Sequence, residues 1–426
     1  MKIDIKPIQA LRGMQDIYGN NYDILEYILS VAVKNAKKYG YKGIETPILE
    51  SSDVFKRAVG EASDIVSKEM YTFLDRNSES ITLRPEGTAA ITRAVISNSL
   101  YQGNFLKFFS YGPMFRYERP QKGRYRQFHQ FSIEAMGIEH PACDIEVISL
   151  AVDVLKDLGI KGALQINTLG DLESRNLYCE AIKSYFGKYR NDLSDESKTR
   201  LEKNPLRILD SKDANDKKIS LDAPKMQNFL NQESKVFFEK VLQGLESLNI
   251  TYNLNDSLVR GLDYYCHTIF EITSNQLGSQ DAILGGGRYN GLSQQLGGKV
   301  SIPSIGWATG IERLMLILEK TYKTQPILKK IGLVCIGEDM LNQALSIAVG
   351  LRSLGFCVVL SYKFDNIGKS IKYLSASEDC DFAVFVGPEE LKEGQVKVKN
   401  LKIEQDSPDK EVKIGISDLG GFFSGK

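Results

Sequence analysis

Residues 108–137 read FFSYGPMFRYERPQKGRYRQFHQFSIEAMG. Apolar and aromatic residues fill both ends and a charged, turn-rich centre separates them. That pattern predicts strands within 105–118 and 125–137 joined by a loop. The loop, Glu118 to Arg126, holds Arg119, Lys122, Arg124 and Arg126, with Arg116 just before it. A guanidinium fixed on a strand presents paired donors that match phosphate oxygens. In a generic hairpin tip such charges only form weak surface pairs. Here they alternate with Tyr117, Tyr125 and Phe128, and Gln130 and Glu134 follow at even spacing. Even spacing sets both on one sheet face, as the polar floor of a pocket.

Working outward, residues 21–39 place Ile24, Ile28, Val31 and Asn35 at helical spacing, with Gly40 as the stop. GIETPILE follows as a strand, and Pro47, lacking an N–H, marks a sheet edge or irregular join. Strands are expected at 69–74 and 80–84, and an amphipathic helix at 144–158 ending at Gly159. From 171 to 250 polar helical stretches such as SDESKTRLEK dominate, which reads as a helical insertion in a β-rich domain. Strand signals resume with SLVRGLDYY and TIFEIT, then the cluster Gly285-Gly286-Gly287, and a helix from Gly310 to Glu319. TYKTQPILKK, with Pro326, reads as a linker. Beyond it a β-α-β-α-β order implies a small parallel or mixed sheet covered by helices. The expected fold is α+β: a domain over 1–325 containing the insertion 171–250, then an α/β domain over 326–426.

The chain's 426 residues are too many for one ordinary core, so two or three domains are expected. Lysine plus arginine equals aspartate plus glutamate at 54 each, so bulk charge does not signal a nucleic-acid partner, and any basic surface is local. The six cysteines are scattered without a CxxC pair, which suits buried reduced thiols rather than disulfides. Three histidines without metal-ligand spacing argue against a protein-held zinc. The N-terminus has no signal-peptide core, and no run approaches the ~20 apolar residues of a membrane span. The expected location is the cytoplasm, with no membrane association.

The 108–137 stretch resembles motif 2 of class II aminoacyl-tRNA synthetases in the form typical of the histidyl-tRNA synthetase family. Further segments similar to that family recur in order over nearly the whole chain: RGMQDIYG (12–19), VFKRAVGEASDIVSKEMYTF (54–73), TLRPEGTAAITRA (82–94), LVRGLDYYCHTIFEI (258–272), GGGRYNGL (285–292) and GWATGIERL (306–314). A glycine triplet or an ERL alone is common; the ordered series is specific.

The resemblance implies a class II antiparallel-sheet catalytic domain and a C-terminal anticodon-binding domain. It implies ATP, with Mg2+, and L-histidine as substrates, a histidine tRNA as partner, and a homodimer built on the motif 1 helix and strand near Pro47. By the same carry-over Arg116 grips the α-phosphate, Arg313 the far phosphates, and Arg260 lies near the reacting carboxylate. Arg124 joins the ATP contacts, and Gln121 with Arg124 approaches the tRNA acceptor end. Glu86, Thr88 and Gln130 receive the substrate's α-ammonium. Glu134 and Tyr265 meet the two imidazole nitrogens, with Tyr264 and Tyr289 beside them. Without the resemblance, Glu86 reads as a turn-capping carboxylate. Strand alternation would put Tyr264 and Tyr265 on opposite faces, so that only one meets substrate. The glycine cluster would let backbone approach a ligand, and His129 more often orients neighbours than acts as a base. Trp307 stands where the family usually has a smaller aromatic, which would reshape the adenine wall. A synthetase-like regulatory subunit of ATP phosphoribosyltransferase is the alternative; it usually lacks the tail domain and loses catalytic positions.

Overall fold

The computed structural model describes residues 7–60, 63–277, 281–322, 329–364, 366–403 and 411–425. Glu61 and Ala62 of the 54–73 segment, and Pro326 with most of the expected linker, lie outside these. The chain divides into two compact units, Met1–Tyr322 and Lys323–Lys426.

In the first unit, α1 (Asn20–Lys38) buries Ile24, Leu25, Ile28, Ala32 and Asn35. Asn35 is polar yet satisfied: its amide donates to Asp157 Oδ2 at 2.9 Å and to the Val31 carbonyl. GIETPILE breaks at Pro47 into β1 (Lys42–Gly43) and β2 (Leu49–Ser51), which join different sheets. Then come α2 (Ser52–Val59), β3 (Tyr71–Leu74), β4 (Ser80–Leu83), α3 (Thr88–Ser97), β5 (Leu106–Phe115), β6 (Gln127–Met136), α4 (Pro141–Asp157) and β7 (Ala163–Thr168). After the helical insertion follow β8 (Tyr252–Leu254), β9 (Cys266–Thr273), β10 (Ala282–Arg288) and β11 (Ser304–Gly310).

The large sheet has the order β1-β5-β6-β11-β10-β9-β7-β8, antiparallel inside and parallel at its two edge pairs. A small antiparallel sheet, β2-β4-β3, stands apart. Alternation along β6 divides the large sheet's work. Phe131, Ile133 and Ala135 join the core beneath α1 and α4, whereas Gln130 and Glu134 face the other way.

The insertion comprises α5 (Leu172–Gly187), α6 (Asp195–Lys203), α7 (Ala214–Ser220) and α8 (Gln232–Ser247). Apolar residues turned inward hold the charged insertion together: Tyr178, Ile182 and Phe186 of α5, Leu201 of α6, and Leu206 and Met226 of the connecting turns form a separate core. The last helix, α8, instead sends Phe238, Val241 and Leu245 into the main core. Following β11, α9 being the short Leu292–Gln295 turn before it, α10 (Ile311–Leu318) completes this unit.

One expected strand is absent. SLVRGLDYY, 257–265, is irregular chain, and β9 begins only at Cys266. There the pairing with β10 shifts register, and His267 takes a left-handed φ of 46°. Apolar alternation in 257–265 is real, but it serves two separate cores rather than a sheet: Leu258 packs with Tyr264 and Tyr265, and Val259 packs in the insertion core.

The second unit contains β12 (Lys330–Cys335), α11 (Leu341–Ser353), β13 (Cys357–Ser361), α12 (Ile367–Lys372), β14 (Phe382–Val386), α13 (Pro388–Lys392), β15 (Gln395–Asn400), β16 (Glu411–Gly415) and α14 (Leu419–Ser424). Its order is β13-β12-β14-β15-β16, parallel for the first three and antiparallel beyond. The mixed sheet agrees with the sequence pattern; β15 and β16 extend it past the expected three strands. Val396 and Val398 point inward from β15, while Lys397 and Lys399 both pair with Glu411, at 2.5 and 2.9 Å. Among the described residues no helix is long and apolar enough to cross a membrane, and all six cysteines are free.

Candidate active site

A cavity of about 330 Å³ opens on the large sheet's outer face, bordered by β10, β11, the 260–265 loop and the start of α3. It gathers Glu86, Thr88, Arg116, Arg124, Gln130, Arg260, Tyr264, Tyr265, Tyr289 and Arg313 into one place. Gln121 does not border it, but sits at the hairpin tip, bridged backbone to backbone with Arg124.

The cavity has an acceptor-rich end. Glu134 is 1 % exposed and lies just under the floor. Thr88 Oγ1 donates to its Oε1 at 2.7 Å, and the Tyr289 hydroxyl donates to Oε2. Burial pushes the Glu134 carboxyl up to about 8, against the opposing pull of those two bonds. Glu86 accepts from the first-turn N–H groups of Thr88 and Ala89, each at 2.8 Å. It is therefore a helix-capping carboxylate and a cavity wall at once. Burial raises its carboxyl, while the Ala89 and Thr88 backbone bonds hold it down. Gln130 Oε1 is buried with no hydrogen-bond partner, an acceptor directed at the cavity.

The tyrosine expectation needs correcting. Both Tyr264 and Tyr265 border the cavity, with ring centroids 4.6 Å apart, because their segment is not a strand and need not alternate. Burial pushes both phenols up, so both keep their protons.

The other end is cationic. Arg116 anchors its Nε on the Pro85 carbonyl at 2.8 Å and lies over the Phe128 ring. Arg313 donates to the carbonyls of Ala282, at 2.5 Å, and Gly123. Burial lowers its affinity for its proton, and Arg124 and Arg116 add repulsion. Arg260 donates to Glu271 Oε2 at 2.7 Å, and Arg124 pairs with Glu118 at 3.0 Å. Fixed cations crowded at one end favour an incoming polyanion.

Three carboxylates of this network escaped the sequence reading: Glu118, Glu271 and Glu312. Glu312 accepts from the His129 backbone N–H and bonds its Nδ1 at 2.8 Å. His129 is thus held from α10; it does not border the cavity. No spacing rule marks them: Glu118 stands two positions from Arg116, Glu271 eleven from Arg260 and Glu312 beside Arg313, so each is known only by the partner it meets in the fold.

Two further expectations change. A Cβ at Gly285 would lie 2.3 Å from the Arg260 guanidinium, so this glycine makes room for a protein side chain. Trp307 is among the residues that border the cavity, but its ring packs into the core beside Phe131, its Nε1 donating to the Val147 carbonyl at 3.0 Å. The site side of β11 belongs to Gly306, where a Cβ would meet Glu134 Oε2 at 2.0 Å. Among the described residues no group of three or more His, Cys, Asp and Glu could hold a metal ion.

An antiparallel sheet floored by polar residues, with fixed arginines at one end, is the architecture of a class II amino-acid-activating enzyme. Comparison with known proteins narrows this. The histidyl-tRNA synthetase family model matches residues 13–170 and 195–314, and an anticodon binding domain model matches 330–425. The chain is 43% identical over 403 residues to the histidine–tRNA ligase of Rickettsia rickettsii (strain Iowa), covering 94% of this chain and 96% of that one. It is 46% identical to that of Wolbachia pipientis wMel over 92% and 95% of the two chains. The apo S. aureus histidyl-tRNA synthetase structure superposes with a TM-score of 0.80 at 34% identity, covering 98% and 100%. The chain belongs to the histidyl-tRNA synthetase family.

Proposed function

We propose that this protein is a histidine–tRNA ligase, which condenses L-histidine with ATP to histidyl-adenylate and then passes histidine to the 3′ end of its tRNA. One observation carries the reading: a single cavity joins an acceptor-rich end built on Glu86, Gln130 and Glu134 to a cationic end built on Arg116, Arg260 and Arg313. An amino acid and a nucleotide triphosphate need those opposite chemistries side by side.

In this reading ATP enters as its magnesium complex. Arg116 holds the α-phosphate, Arg313 the far phosphates with help from Arg124, and Arg260 bridges toward the substrate carboxylate. That carboxylate is already ionised, so the first step needs no general base. In-line displacement of pyrophosphate spreads negative charge over equatorial oxygens, which fixed guanidiniums stabilise without reorganising. Glu86, Thr88 and Gln130 receive the α-ammonium. Glu134, with Tyr265, Tyr264 and Tyr289, recognises the imidazole, and a side chain without two ring nitrogens would leave these buried groups unpaired.

Gln121 and the basic hairpin tip approach the tRNA acceptor end, and residues 326–426 read the anticodon, while 1–325 activate histidine. The enzyme works in the cytoplasm as a homodimer. The small β2-β4-β3 sheet favours the dimer, since Leu49, Phe73 and Leu74 stay 45%, 46% and 66% exposed on it. A regulatory subunit of ATP phosphoribosyltransferase is disfavoured by the retained arginines and the anticodon-binding match. Charging assays with labelled histidine, ATP and total tRNA test the proposal. An alkali-labile histidine ester on tRNA is expected; histidine binding without charging would contradict it.

A further inference from the structure

The 259–263 segment faces two masters. Arg260, Gly261 and Leu262 line the cavity, as Tyr264 and Tyr265 do beyond them. The same stretch is gripped by the helical insertion: Val259 packs in the insertion core. Arg207 Nη1 donates to the Gly261 carbonyl at 3.1 Å, and Asn204 Nδ2 donates to Asp263 Oδ1 at 2.5 Å. Asn204 and Arg207 sit in and beside the Pro205–Ile208 turn that follows α6. The opposite side of Asp263 is closed by Gly60, in left-handed backbone at φ +85°, where a Cβ would lie 2.7 Å from Oδ2. Arg207 also reaches Asp64 at 3.7 Å, next to Ile65, which borders the cavity.

Because no strand pairing holds this segment, its conformation depends on those side contacts. From this we infer that Asn204 and Arg207 are positioning residues for histidine activation, holding the backbone that aims Arg260 and the two tyrosines. The insertion is then part of the adenylation machinery in the absence of any tRNA. The inference rests on the role proposed above for Arg260.

Steady-state ATP–pyrophosphate exchange by the full-length protein without tRNA tests it, with histidine and ATP titrated separately. Asn204→Asp removes the donor and sets two carboxylates together. It should lower kcat about tenfold or more, since small displacements of a reacting group are costly, while KM for ATP stays within about twofold. Adding Asp263→Asn restores an amide–carboxylate bond with the donor reversed, and should recover most of the loss. Arg207→Ala, which leaves the Asn204–Asp263 bond in place, should depress kcat independently, and Arg207→Lys should do so less. Arg190→Ala, at an exposed insertion ion pair, should leave the kinetics unchanged. Wild-type kcat and histidine KM in Asn204→Asp and Arg207→Ala, beside an inactive Arg260→His, would overturn this inference alone. An active Arg260→His would overturn both it and the role assigned to Arg260. A double variant no better than Asn204→Asp would equally overturn it.

Discussion

Glu134, proposed above to recognise the imidazole, also carries a pH response. With its carboxyl raised to about 8, the folded chain keeps a proton that the unfolded chain releases near the ordinary carboxylate value. The folded state therefore binds more protons between those values, and stability falls as pH rises through that window. Replacing Glu134 with Gln removes this dependence. The variant's melting temperature, relative to the parent, should climb between pH 5 and pH 8, and a flat difference would contradict the assignment. The same variant should bind histidine at least about tenfold more weakly by calorimetry, since an amide nitrogen only donates where a carboxyl oxygen accepts, which leaves a buried partner unpaired. Arg260→His should depress adenylate formation about a hundredfold or more while histidine affinity changes only a few-fold, because its contact strengthens in the transition state. Equal losses in both would assign it to ground-state binding. At this scale the sequence was informative where spacing alone decides the face, as for Gln130 and Glu134 on β6. It was silent for Glu118, Glu271 and Glu312, which matter through the cation or ring that each meets only in the folded chain.

Among the elements, long periodic ones were legible and the cavity-lining segment 257–265 was not. Ile24 and Ile28 of α1, and Phe131, Ile133 and Ala135 of β6, repeat at the period of their own structure, so local pattern and burial agree. In 257–265 the alternation reflects Leu258 and Val259 going to different cores, which no local period reveals. The lysine-rich β15 was hidden for a related reason: its charges are paired with Glu411, whose carboxyl they hold down at about 2, rather than spread in solvent. The turn that ends 257–265 depends on His267, whose φ of 46° suits few side chains. His267→Val should destabilise the protein by about 1–3 kcal/mol in chemical denaturation, the cost of a sparsely populated backbone region. His267→Asn should cost clearly less, since asparagine tolerates left-handed backbone. Equal losses would mean that packing against Phe237, at 5.1 Å between centroids, matters more than the backbone.

For the whole molecule, balanced charge leaves tRNA recognition to local patches. The tail lysines 397, 399 and 402 are each engaged with an acidic neighbour, which leaves fewer cations available for phosphates than their number suggests. Charging of tRNA should still weaken with salt, since phosphate contacts release counterions. Raising salt from about 50 to about 200 mM should lower kcat/KM for tRNA several-fold while amino-acid activation changes far less. Parallel losses would place the salt effect in the arginine-lined cavity instead. In the proposed reading this cavity activates histidine and no other amino acid. Pyrophosphate exchange into ATP, run with each standard amino acid in turn, tests it most directly. Exchange supported by histidine alone is the predicted result; exchange with another amino acid, or none with histidine, would contradict the account.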